Sequence, residues 1–158
     1  MSVLAIPAGN FLFPLQTPTA AAGSDATVLG KRRLDVVMSY PARQRLFDEL
    51  QALLDPEATT IWHGDSTNRT SLDSWIAAVQ FLSVLPPSFL DLEVSPDLDG
   101  CVSFDWYQSK DRQLSISFAG DGRIHYAAIL GAVDRVSGRL AFHDSVPEEI
   151  IRLLRRIG

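Results

Sequence analysis

Three observations predict an α+β fold, an antiparallel β-meander sheet with helices packed on one face as a two-layer sandwich. Between Cys101 and Leu130, three runs alternate apolar and polar residues between tight turn signals. Three other segments carry apolar residues at helical spacing. The loops between the strand-like runs are too short for parallel crossovers. A half-apolar sheet and three amphipathic helices then solve one another's burial problem.

The 158 residues suit one domain with its own core. Residues 1–30 read as an extended apolar arm and linker, and 31–158 as a single α+β domain. The first 24 residues carry no charged side chain. Val3, Leu4, Ile6, Phe11, Leu12, Phe13 and Leu15 make the arm apolar, and Ala20 to Asp25 is a small-residue linker. Thr19 to Gly23 resembles a signal-peptidase site, but a secretory signal needs a basic start and an unbroken apolar run. Here Pro7, Gly9, Asn10 and Pro14 interrupt it and no Lys or Arg precedes Lys31. The arm is therefore expected to stay and either to dock on its own domain or, the favoured outcome, to contact a protein partner or a second copy in a homo-oligomer. Lys31-Arg32-Arg33 reads as solvated surface.

Along the domain, Leu34 to Val37 suggests a short strand. Ser39-Tyr40-Pro41 opens a helix, since proline suits the first turn. Its core stripe is Leu46, Phe47, Leu50, Leu53 and Leu54, with Arg43, Arg45, Asp48 and Glu49 toward water, and Pro56 ends it. A second helix runs from Ser71 to Leu85 with the stripe Leu72, Trp75, Ile76, Val79 and Leu82, ended by Pro86-Pro87. Leu92 to Val94 reads as an edge strand before the turn Pro96 to Gly100.

Parity sets the meander register, because residues directly opposite must share a face. Trp106 pairs with Leu114, Phe104 with Ile116 and Val102 with Phe118, around a loop of Ser109, Lys110 and Asp111. Phe118 then pairs with Ile124 and Ile116 with Tyr126, around Gly120, Asp121 and Gly122. Leu140 to Phe142 forms a last short strand. Ser145-Val146-Pro147-Glu148 reads as a capping box opening a helix that buries Ile150, Ile151, Leu154 and Ile157. Arg152, Arg155 and Arg156 suit the macrodipole at its C-terminal end and need no ligand.

The charge of −5 and the pI near 5.0 argue against nonspecific nucleic-acid binding, which depends on Lys and Arg. The single cysteine, Cys101, excludes an internal disulfide and fits a reducing, cytoplasmic setting. No apolar run reaches transmembrane length, so no membrane partner is expected. No Gly-rich phosphate loop follows a strand, and no cofactor is expected.

The first candidate binding site is the loop Ile61 to Arg69, which gathers Trp62, His63, Asp65, Ser66, Asn68 and Arg69 between two helices. A structural reading stands beside it: Trp62 plugs the core while Asp65 or Asn68 caps a turn. The second candidate is the row of Ser103, Ser117 and His125 with Asp105 nearby on the outer sheet face. Register places Ser117 beside His125, but Asp105 lies nearer the serines than the imidazole. A flat face also lacks an oxyanion hole, which favours a solvated row. His63, His125, His143 and Asp144 lack short metal-ligand spacing, so no metal site is expected. Cys101 lacks a His partner and is not read as a catalytic thiol.

From the first helix to the C-terminus, the chain resembles an uncharacterised family of small bacterial proteins with a Trp-Asp-Gly-like loop and a C-terminal β-meander. The matching pieces are Trp62-His63-Gly64-Asp65, Phe81 to Pro86, Pro96-Asp97-Leu98-Asp99-Gly100 and Phe104-Asp105-Trp106. His63 stands where the family has Asp. The resemblance implies a bacterial, cytoplasmic accessory protein from defence or mobile-element neighbourhoods, and it carries no mechanism. The expected function is a non-enzymatic protein–protein interaction module, an antitoxin, immunity or defence-associated accessory protein. The alternative is a small hydrolase using the loop from Trp62 to Asp65.

Overall fold

Same-parity residues pair across each strand junction, which makes one continuous sheet with one apolar side. A computed structural model of the protein describes residues 40–55 and 69–158. In chain order it contains α1 (Pro41–Ala52), α2 (Leu72–Val84), a 3-10 turn (Pro87–Phe89), β1 (Glu93–Pro96), β2 (Val102–Ser109), β3 (Arg112–Phe118), β4 (Arg123–Ile129), β5 (Arg135–Ala141) and α3 (Glu148–Ile157). The five strands lie in sequence order and every pairing is antiparallel. This is the α+β architecture expected from the alternation. The apolar arm and the strand expected at Leu34 to Val37 lie outside the described residues.

The pairs expected from parity are present, including Phe104 with Ile116, Ile116 with Tyr126 and Ser117 with His125. The first hairpin is tighter than expected. Ser109 pairs with Arg112 and the register shifts between Tyr107 and Ser109, so Gln108 is a bulge and only Lys110 and Asp111 turn the chain. The last strand is longer than expected and begins at Arg135. Its polar run, Arg-Val-Ser-Gly-Arg, conceals a strand that lies at the sheet edge and needs little apolar burial.

The inward residues Phe104, Ile116, Phe118 and Ile124 are fully buried, and Trp106 and Tyr126 nearly so. Phe81 of α2 stands at the centre, with ring centroids 5.3 Å from Phe118, 5.3 Å from Phe142 and 6.1 Å from Phe104. Helix α2 is rotated from the expected stripe. Ser74, Ala78, Phe81, Leu82 and Leu85 face inward, whereas Leu72 and Ile76 are 59% and 41% exposed. The helix is apolar around most of its circumference, so hydrophobicity alone does not orient it. Ser74 does: its Oγ donates to Phe118 O at 2.5 Å and accepts from Val102 N at 2.7 Å.

Arg43, expected in water, is also buried. Its guanidinium donates to the carbonyl of Leu85 at the end of α2 and lies 5.6 Å from the centre of the Tyr40 ring. A cation there meets the negative end of the α2 dipole and satisfies a carbonyl with no helical partner. Leu54, placed in the α1 stripe from spacing, is 41% exposed because the helix has ended by Ala52. The capping box does not form. Pro147, rather than Ser145, precedes the first turn of α3, and no side chain caps it. Leu153 joins the buried face of α3 and Ile151 is only half-buried.

Gly138 has a packing role. A Cβ there would lie 2.7 Å from the Tyr126 hydroxyl oxygen and 2.9 Å from the ring, so the tyrosine covers the bare backbone of β5. That path lets the Tyr126 hydroxyl donate to Glu149 of α3. The hydrogen bond to Glu149, then burial, then the glutamate's charge raise the phenol's pKa above its ordinary value.

Truncating the fully buried Phe104 to Ala should cost about 3–5 kcal/mol in denaturant unfolding. An unchanged midpoint would contradict its place in the core. Because folding raises the Tyr126 pKa, the neutral phenol is the form favoured in the native state. Its stability contribution is present in full below about pH 10 and is lost as pH rises through the raised value. Tyr126→Phe should flatten that alkaline loss in a series of melts across pH.

Candidate interaction surface

Among the described residues the helices pack on one side of the sheet, and the opposite parity forms an open face. It can be read in rows from the pairings. One row runs Glu93, Asp105, Ser115, Ala127 and Ser137 from β1 to β5. The next runs Ser95, Ser103, Ser117, His125 and Arg139. Tyr107, Gln113, Ile129 and Arg135 form a third. The middle of the face is therefore built from Ser and Ala.

The second candidate of the sequence reading lies here, but in a different arrangement. Ser103 is buried rather than solvated. The residue that organises it is Asp97, from the turn after β1. Its Oδ2 accepts from Ser103 Oγ at 2.6 Å and from Ser117 Oγ at 3.1 Å. Asp105 is engaged in the same way, accepting from Ser95 Oγ at 2.8 Å. Ser117 thus spends its proton on a carboxylate, and His125 stands exposed beside it with Arg139 as its other cross-strand neighbour. A nucleophile needs its base as the hydrogen-bond partner. Here the partner is a carboxylate oxygen shared between Ser103 and Ser117, with no hydrogen bond to the imidazole of His125, and the row acts as a tie between a turn and the sheet.

Cys101 sits at the edge of this cluster, half-buried, just before β2. Burial first, then a hydrogen bond to Asp99 and the charges of Asp99 and Asp97, push its thiol pKa up, against a smaller opposing contribution from Ser117. That is the opposite of the shift an activated thiolate needs. Among the described residues, no group of three or more His, Cys, Asp and Glu is placed to hold a metal ion.

The loop from Trp62 to Asp65, with Trp62, His63 and Asp65, and its neighbours Ser66 and Asn68 lie outside the described residues. Arg69 is described and exposed. The chain leaves this loop under firm constraint. Ser71 N donates to Gly100 O at 2.8 Å, and a Cβ on Gly100 would lie 2.7 Å from the Arg69 carbonyl oxygen.

Charge divides across the open face. Glu93 and Asp105 lie on β1 and β2, with Asp97 and Asp99 in the turn between them; His125, Arg123, Arg135 and Arg139 lie on β4 and β5. Glu93, Arg123, Arg135 and Arg139 are exposed, and none of them forms an ion pair within the described residues. Asp97 and the two β5 arginines were missed as surface determinants in the sequence. The turn Pro96-Asp97 was a signal for the first, while the polar stretch around Gly138 hid the strand that carries the others. Two open depressions adjoin the face. One, of about 740 Å³, lies over its Tyr107 end and includes Glu93, Ser115, Ala127, Ile129 and Arg135. The other, of about 320 Å³, lies beside Trp106, Phe89 and the end of α3.

The raised thiol pKa gives a direct check. Cys101 should alkylate with iodoacetamide more slowly at neutral pH than a free cysteine, with its rate profile displaced to higher pH. Asp99→Asn should move the profile back down. A profile at or below that of a free thiol would show that the carboxylates do not act on it. Compared with protein-family models, with curated proteins and with solved structures, the chain matches none.

Proposed function

We propose that this protein is a non-enzymatic protein–protein interaction module that binds through the open face of its sheet. One observation carries this reading. The face presents Ser and Ala at its centre, Glu93 on one side and Arg135 and Arg139 on the other without an ion pair among the described residues, while Ser95, Ser103 and Ser117 are already hydrogen-bonded to Asp105 and Asp97. Small central side chains allow close approach of another surface, and segregated charge gives that approach a preferred orientation. Catalysis asks in addition for unsatisfied groups aimed at a reacting atom. An interaction module of this kind fits an antitoxin, an immunity protein or another defence-associated accessory protein.

The test is affinity capture from the source cells, comparing the native chain with Ala127→Arg on the open face and Gln51→Arg on α1. Both positions are exposed, so both variants should keep the native circular dichroism spectrum and melt. Capture should be lost with Ala127→Arg and kept with Gln51→Arg. Capture indifferent to Ala127→Arg would remove the open face from the reading.

A further inference from the structure

We propose that the open face pairs with a second copy of this chain around a two-fold axis running along β3. The inference rests on the interaction reading above and names the partner. Two sheets meeting face to face can be related by an axis along the strands or across them. An axis across the strands puts β1 over β1 of the partner, and so sets Glu93 near Glu93 and the arginines near one another. An axis along β3 exchanges the two sides of the sheet. The acidic side, Glu93 with Asp97 and Asp105, then lies over the basic side, His125, Arg135 and Arg139.

The rows sharpen this. Rotation about β3 keeps each row at its own height along the strands. Ser95 then lies over Arg139 of the other copy, Tyr107 over Ile129, and Glu93 over Ser137, between Arg135 and Arg139. Tyr107 is 67% exposed in the single chain, and this arrangement gives its ring an apolar neighbour. The axis itself passes over Gln113, Ser115 and Ser117 of β3, where Ser115 and Ser117 leave room for two sheets to approach to about 10 Å. At about 4.8 Å per strand and 3.4 Å per residue, the face measures roughly 20 by 20 Å. That is about 400 Å² from each copy, below the area of a standard specific interface, so the dimer is a weak one in which charge has a large share and salt should weaken it.

The experiment is sedimentation velocity of the full chain over a concentration series, at low and at high salt. The native chain should dimerise at low salt and dissociate toward monomer at high salt. Glu93→Arg and Arg139→Glu, each alone, should weaken the dimer by roughly tenfold, because the two-fold axis repeats each altered contact. Mixing the two variants should restore association, since each substituted side chain then meets an opposite charge on the other copy. Circular dichroism melts of both variants separate this effect from misfolding. A monomer at every concentration, a dimer insensitive to both substitutions, or a mixture no tighter than the variants alone would overturn the proposal. If the chain is monomeric yet its capture of a different protein is lost with Ala127→Arg, this inference fails and the interaction reading stands. If neither assembly nor capture depends on the face, both fail.

Discussion

The hydroxyl of Ser74 sets the geometry on which the rest of this fold depends. It lies between the N–H of Val102 and the carbonyl of Phe118, which are register partners on adjacent strands. One side chain on α2 therefore joins the start of β2 to the end of β3 and fixes the rotation of the helix. Removing it would leave two buried backbone groups without their partner, at a cost of about 1–3 kcal/mol for each. The surroundings leave little freedom to adjust. Gly120 has φ +75°, and a Cβ on it would lie 2.8 Å from Asp73 Cβ. Gly100, at φ +84°, meets the Arg69 carbonyl as closely from the other side. Two glycines and one serine thus hold the first turn of α2 against two sheet turns.

Once α2 is oriented in this way, the aromatic core follows. Phe81 points at the sheet and meets Phe104, Phe118 and Phe142, while Trp75 turns toward α1 and donates from its indole to Leu50 O at 2.8 Å. Arg43 closes the far end of the same helix at Leu85. The two ends of α2 are therefore held by polar contacts and its middle by apolar packing. With the helices gathered on one side, the other side of the sheet is left as surface among the described residues. The position of the open face is a consequence of how the core is built.

Much of this was legible in the sequence, and the parts that were not share a cause. Alternation with period two yields strand register directly, because a slip of one residue would turn Phe104, Ile116 and Phe118 outward. The helix stripes were less determinate. In α2 the apolar set is too broad to select a face, and the residue that selects it, Ser74, is polar and reads as solvent-facing. Arg43 was misplaced by the same rule that charged side chains belong in water. Asp97 organises the serine row from a turn, so its contacts depend on tertiary placement that spacing cannot supply. In each case a polar group is held by a partner from another element. Local pattern carries no record of such partners.

Among the described residues, the two edges of the sheet are poorly suited to adding a strand. β1 spans only Glu93 to Pro96, and proline cannot donate to another strand. β5 is longer, but it carries Arg135 and Arg139, and its Gly138 lies against the Tyr126 ring. Charged side chains on an edge strand oppose the addition of a further strand, and two copies of β5 brought edge to edge would set like charges together. These arginines thus have a double consequence. They make the edge a poor template for strand addition, and they supply the positive side of the open face. Among the described residues both edges of the sheet thus resist a further strand, and the face that the proposed dimer would use is the surface left.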